Sequence, residues 1–124
     1  MLLTAKDLRI GVRIRRKSNT KYAGQFTVRY SRSSGAKTEW AKLCSGLAHW
    51  LFYGFECGPG AVDPWCVVDV RQLVSMHAHR TREECRAFCG RKSNADGSSD
   101  FFWWDTQRTN WPGLLVARSP TWPT

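Results

Sequence analysis

The side chains best suited to chemistry in this chain are cationic, and they cluster early. Arg13, Arg15, Arg16, Lys17, Lys21, Arg29, Arg32 and Lys37 lie close together in sequence. A guanidinium fork matches a phosphate bidentately and an ammonium adds a point charge, so such a set can neutralise several phosphates at once. Tyr22, Tyr30 and Trp40 are interleaved with these cations and could stack on bases, although their spacing suits core positions equally well. The charge is one-sided. Eleven of the 19 basic residues fall in positions 1–42 against only Asp7 and Glu39, while eight basic and eight acidic residues cancel over the rest, so the net +9 sits in the first third. An asymmetry of this kind concerns a partner more than a fold, and it points to an anionic one.

A second set is thiol and imidazole. Cys57, Cys66, His77, His79, Cys85 and Cys89 are the zinc candidates, with Cys85 and Cys89 at i and i+4 on an expected helix; zinc needs about four such ligands in tetrahedral geometry. The spacing matches no common finger or ribbon, and Cys85, Phe88 and Cys89 also make an ordinary core stripe. A third possibility is phosphodiester cleavage, which needs clustered carboxylates to hold Mg2+ near the scissile phosphate. Asp63, Asp69, Glu83 and Glu84 are scattered over turns and helix starts, where capping accounts for them. His49, His77 and His79 have no evident nucleophilic partner, and Cys44 reads as core. No catalytic residues and no resident cofactor are therefore expected.

These groups must be placed by a small domain. The chain has 124 residues, 42% of them hydrophobic and seven of them Trp, enough for one core without staples and too apolar for disorder. Five cysteines, with a first segment too short and too soon charged for a secretory signal, read as reduced thiols in the cytosol. No apolar run approaches the ~18 to 20 residues that span a bilayer, so no membrane partner is expected.

Period-2 alternation predicts a strand at Arg9–Arg15, with Ile10, Val12 and Ile14 on the core face and Arg9, Arg13 and Arg15 on the outer one. Phe26–Ser31 repeats the pattern with Phe26, Val28 and Tyr30 inward. The two most simply form an antiparallel hairpin with a basic outer face. A basic loop, Ser31–Lys37, leads into a short helix with a stripe of Trp40, Leu43, Cys44 and Leu47, ended by Gly46. His49–Phe55 is apolar on both faces and reads as a central strand, followed by a turn-rich stretch to Pro64 and a strand at Trp65–Val68. Asp69 is a helix cap for Val70, Leu73, Val74 and His77; a further helix starts at Thr81, with Glu84 closing a capping box, and ends at Gly90. Arg91–Ser99 is a polar loop, Asp100–Thr106 a strand, and Trp111–Ala117 an edge segment.

The run Phe26-Thr-Val-Arg-Tyr-Ser-Arg-Ser-Ser-Gly-Ala-Lys-Thr-Glu-Trp-Ala-Lys42, followed by His49-Trp-Leu-Phe-Tyr-Gly-Phe55 and Val67-Val-Asp-Val-Arg-Gln-Leu-Val74, resembles small phage and prophage proteins with a restriction-endonuclease-like PD-(D/E)XK fold. The order of elements matches over roughly residues 8 to 106. Where that family carries an acidic-x-Lys triplet, this chain has Arg13-Ile-Arg15, and Asp7 is the sole candidate for the upstream metal ligand. The resemblance therefore implies an N-terminally shortened, catalytically degenerate relative whose active-site face has become basic.

Together these readings predict a single α+β domain over residues 1–118. Its central sheet, mixed or antiparallel, has four to five strands, with an N-terminal basic hairpin, two to three short helices and a flexible tail at 119–124. The expected function is non-catalytic binding of nucleic acid or a nucleoprotein complex through Arg13, Arg15, Arg16, Lys17, Lys21, Arg29, Arg32 and Lys37. The competing expectations are inhibition of a host defence complex in the manner of an anti-CRISPR protein, and a metal-dependent PD-(D/E)XK-type nuclease using Mg2+. Seven Trp are hard to bury in one small domain, which makes a homodimer a further expectation.

Overall fold

Residues 8–35, 38–78, 89–109 and 112–124 are described in the computed structural model. In chain order they form β1 (Ile10–Arg15), a 3-10 turn (Lys17–Tyr22), β2 (Gln25–Arg32), α1 (Glu39–Cys44), β3 (Trp50–Gly58), β4 (Ala61–Asp69), α2 (Val70–His77), β5 (Cys89–Ser93), β6 (Ser99–Asp105) and β7 (Leu115–Arg118). The fold is α+β, with a four-stranded sheet in the order β1-β3-β4-β7 and a three-stranded sheet in the order β2-β6-β5.

The alternation in β2 and β6 explains how the sheets meet. Phe26 and Val28 on β2 and Phe102 and Trp104 on β6 are buried, and so are Leu51, Tyr53 and Phe55 on β3 and Cys66 and Val68 on β4. Phe26 stacks on Trp104 with ring centroids 5.1 Å apart and meets Tyr53 edge-on at 6.1 Å, joining the inner faces of the two sheets. Each such ring or aliphatic side chain removed from water contributes about 1.5–3 kcal/mol, and the stacked geometry adds to that. α2 closes one end: Asp69 accepts the Gln72 N–H at 3.1 Å as its cap, and Val70, Leu73 and Met76 face the core. α1 is capped by Thr38, which accepts the Ala41 N–H, and Gly46 follows it with φ +79°, a left-handed conformation suited to glycine beyond a helix end.

The expected N-terminal hairpin does not form. β1 runs parallel to β3, whereas β2 pairs antiparallel with β6 in the other sheet. A parallel pairing needs a long crossover, and the segment through β2 and α1 supplies it. The faces of β1 are also reversed from expectation: Ile10, Val12 and Ile14 are 48%, 66% and 43% exposed, while Arg13 and Arg15 are half-buried. Alternation identifies two faces without saying which is inside. Here β1 is a sheet edge, where a long side chain can lie over apolar neighbours and still bring its guanidinium to polar partners. The outward isoleucines and valine continue an apolar surface, because Ile10 and Val12 share their register positions with Trp50 and Phe52, and Phe52 stacks on Trp65 at 5.6 Å.

Three smaller differences follow from packing. In α1 only Leu43 of the expected stripe is buried; Trp40 is half-buried, and Cys44 and Leu47 are exposed, since the helix ends after six residues. The helix expected from Thr81 falls mostly outside the described residues, but its expected end at Gly90 is strand: Cys89–Ser93 is β5, paired with β6, so the expected loop at Arg91–Ser99 begins as an edge strand. Where a flexible tail is expected at 119–124, Trp122 is 2% exposed and its Nε1–H donates to Thr106 Oγ1 at 2.8 Å.

Candidate functional site

The outward face of the three-stranded sheet gathers cations and aromatic rings. Because Phe102 and Trp104 point into the core, strand geometry sends Phe101 and Trp103, on the central strand β6, the other way, and both are half-buried. Register defines two rows across this face. Arg29 on β2, Phe101 and Lys92 on β5 make one; Thr27, Trp103 and Gly90 make the next. Phe101 thus has a cation on either side. Trp103 lies across β5 at Gly90, where a Cβ would stand 2.9 Å from Nε1 and 3.0 Å from Cε2 and Cζ2.

Arg15 reaches this face from the edge of the other sheet. Its Nη1 donates to Tyr53 Oη at 2.7 Å and to Thr27 Oγ1 at 3.2 Å, so the guanidinium is held in place while it lines the concavity. Tyr22 follows from the end of the 3-10 turn, with Lys21 Nζ 5.2 Å from its ring centroid. Arg15, Tyr22, Thr27, Lys92, Phe101 and Trp103 border a shallow cleft of about 570 Å³. Its chemistry is that of a surface for a planar, anionic chain: rings to lie on and fixed cations beside them.

The structure divides the expected basic residues. Arg15 and Arg29 lie on the aromatic face, and Arg16, Lys17 and Lys21 are exposed in and beside the 3-10 turn. Arg13 faces inward and its Nη1 pairs with Glu39 Oε1 at 2.8 Å, in place of the outer face of a hairpin. Arg32 is exposed at the end of β2, beside Lys42 and Ile10 around a different concavity. Lys37 lies outside the described residues. Of the aromatics expected to stack on a ligand, Tyr30 stacks inside on Phe102 at 4.1 Å and Trp40 packs edge-on against the same ring, whereas Tyr22 stays exposed.

Phe101, Trp103, Gly90 and Lys92 were not legible as a site. Asp100–Thr106 reads as a strand apolar on both faces, and Gly90 and Lys92 read as a helix end and a loop. The available signal was the doubled Phe101-Phe-Trp-Trp104 run, in which one ring of each pair cannot be in the core of a two-layer fold.

The zinc candidates do not converge among the described residues. Cys66 is buried on β4, Cys57 is exposed near the end of β3, and Cys89 is buried opposite Trp104; His77 packs against Trp40 with ring centroids 4.4 Å apart. His79 and Cys85 lie outside the described residues. No group of three or more His, Cys, Asp or Glu that could hold a metal occurs among the described residues. Burial pushes the Cys66 thiol up to about 12, and partial burial raises Cys44. Among the described residues, several carboxylates have structural partners: Glu39 holds Arg13, Asp69 caps α2, Asp63 accepts the Thr121 hydroxyl, and Asp105 accepts the Gln107 N–H and pairs with Arg108 at 3.6 Å. In the turn before β6, hydrogen bonds from the Ser98 side chain and backbone hold Asp96 below its ordinary value.

Comparison with protein-family models, curated proteins and solved structures returns no match for this chain. No helix among the described residues is long and apolar enough to cross a membrane.

Proposed function

We propose that this chain binds nucleic acid without cleaving it, using the outward face of the β2-β6-β5 sheet. One observation carries the reading: Phe101 lies between Arg29 and Lys92 in a single row across three strands, with Arg15 pinned on Thr27 in the next row. Phosphates bring most of the affinity of such complexes, and fixed Arg and Lys groups neutralise them while releasing counterions. The excess of positive charge in the first 42 residues adds a long-range field that draws a polyanion toward this side of the sequence's basic elements. Among the described residues, Glu39, Asp100 and Asp105 are engaged in hydrogen bonds within the fold, which supports holding over cutting.

The test is a salt titration of binding to a labelled oligonucleotide followed by fluorescence anisotropy. The logarithm of affinity should fall linearly with the logarithm of salt, with a slope of about −0.7 to −0.9 per phosphate contacted. Replacing Arg15, Arg29 and Lys92 together by Gln should make that slope shallower by roughly 2 to 3. A flat salt response, or a slope unchanged in the triple variant, overturns the assignment to this face.

A further inference from the structure

We infer that the nucleic acid held by this face is single-stranded, with unpaired bases lying on Trp103 and Phe101. This rests on the nucleic-acid reading above and adds the class of ligand. A base inside a duplex has both faces covered by its neighbours and offers only its edges, whereas an unpaired base can lay a face on an aromatic ring.

Three features of the face favour the second mode. First, duplex readers insert a protruding helix or a two-stranded ribbon into the major groove. Phe101 and Trp103 instead sit on the middle strand of a three-stranded sheet, flanked on both sides. Second, the orientation of Trp103 is built in. Gly90 leaves bare backbone beside the indole, and three ring atoms occupy the space a Cβ would need, so the ring can settle against β5 while Trp103 stays only half-buried. A side chain at Gly90 would displace the ring. Third, Phe101 and Trp103 are two positions apart on one strand, roughly 6.7 Å in rise, against 3.4 Å between bases along a stacked strand. Each ring can take its own base only if successive bases are drawn apart, which pairing in a duplex forbids. The cations suit the same path: Arg29 and Lys92 flank the base position over Phe101, where a sugar-phosphate chain passes on either side.

The experiment measures, in one buffer, the affinity of the full chain for a labelled thymidine 20-mer, a uridine 20-mer, a 20-base-pair duplex and an abasic 20-mer that keeps the phosphates and loses the bases. Single strands should bind at least ten-fold tighter than the duplex, and the abasic strand should lose that advantage. The two single strands report whether a 2′-hydroxyl is favoured, and tighter binding of either one supports the inference. Trp103→Ala should weaken single-strand binding roughly 5- to 150-fold, the range of one lost base–ring stack, with the duplex little affected, and Trp103→Phe should restore most of it. Equal affinity for duplex, single strand and abasic strand, with a normal salt slope, overturns this inference and leaves the nucleic-acid reading standing. Absence of salt-dependent binding to any of the four overturns both. The abasic comparison uses the unaltered chain, so it stands even if Trp103→Ala fails to fold.

Discussion

The indole of Trp103 packs against Gly90 so closely that a Cβ there would stand 2.9 Å from Nε1, and no other residue type fits without moving the ring. Gly90→Ala should therefore tilt the indole, lower stability by about 1 kcal/mol through overpacking, and weaken binding to a single strand along with it. Urea unfolding and anisotropy on the same preparation check both. An alanine variant with an unchanged midpoint and unchanged affinity would mean that the ring's orientation is immaterial.

Glu39 serves two partners with one oxygen: Oε1 takes Arg13 Nη1 at 2.8 Å and the Arg29 N–H at 3.4 Å. It ties the edge of one sheet to the edge of the other. Glu39→Ala leaves a half-buried guanidinium and a strand N–H without their acceptor and should cost about 1–2 kcal/mol. Glu39→Gln keeps an acceptor and should cost less. Since both side chains of the ion pair are about one quarter exposed, at 27% and 26%, 1 M salt should narrow the difference between the parent and either variant. A double-mutant cycle with Arg13→Ala measures the coupling.

Cys66 gives the stability curve an alkaline edge. Its thiol is buried and its pKa rises from 9.0 to about 12 on folding, so the folded state binds this proton more tightly than the unfolded chain does. The stabilisation is complete below pH 9 and is lost as pH rises from about 9 to 12. The limiting slope is about 1.4 kcal/mol per pH unit. Cys66→Ala should flatten that part of the curve relative to the parent chain. At pH 8, thiol reagents should modify exposed Cys57 and Cys44 in the native protein and reach Cys66 only after denaturant is added.

Trp122 anchors the segment that follows β7. Trp122→Ala removes a fully buried ring and should cost about 3–5 kcal/mol. Trp122→Phe keeps most of the packing, loses the hydrogen bond to Thr106, and should cost about 1 kcal/mol. Equilibrium denaturation distinguishes the two, and an alanine variant as stable as the parent would show that the last turn contributes nothing to the core.

Local pattern revealed the elements better than their partners. The alternation of Phe26, Val28 and Tyr30, the apolar run at His49–Phe55 and the Asp69 cap were all readable, because each depends on near neighbours along the chain. The pairing of β1 was not, because two adjacent alternating strands satisfy a hairpin rule equally well, and only the parallel ladder with β3 decides otherwise. Arg13 and Arg15 depart from the expected outer face for the same reason: their inward direction depends on Glu39, Tyr53 and Thr27, which α1, β3 and β2 deliver from elsewhere. Part of the candidate site, Arg15 and Arg29, is visible as charge. Phe101, Trp103, Gly90 and Lys92 are hidden inside strands that look wholly apolar or wholly loop-like until Phe102 and Trp104 are known to face the core.

The ladder between β2 and β6 also has a temporal side. Gly24 accepts a hydrogen bond from Thr106, 82 positions away, and the ladder itself joins Phe26 to Trp104. Contacts so distant in sequence close slowly, because the entropy of loop formation is lost before any burial repays it. On a ribosome, β2 emerges long before its partner strand exists, with Phe26 and Val28 uncovered in the meantime. The outward face of the β2-β6-β5 sheet is therefore among the last features of the molecule to be completed, and the nascent chain exposes the apolar side of β2 until then.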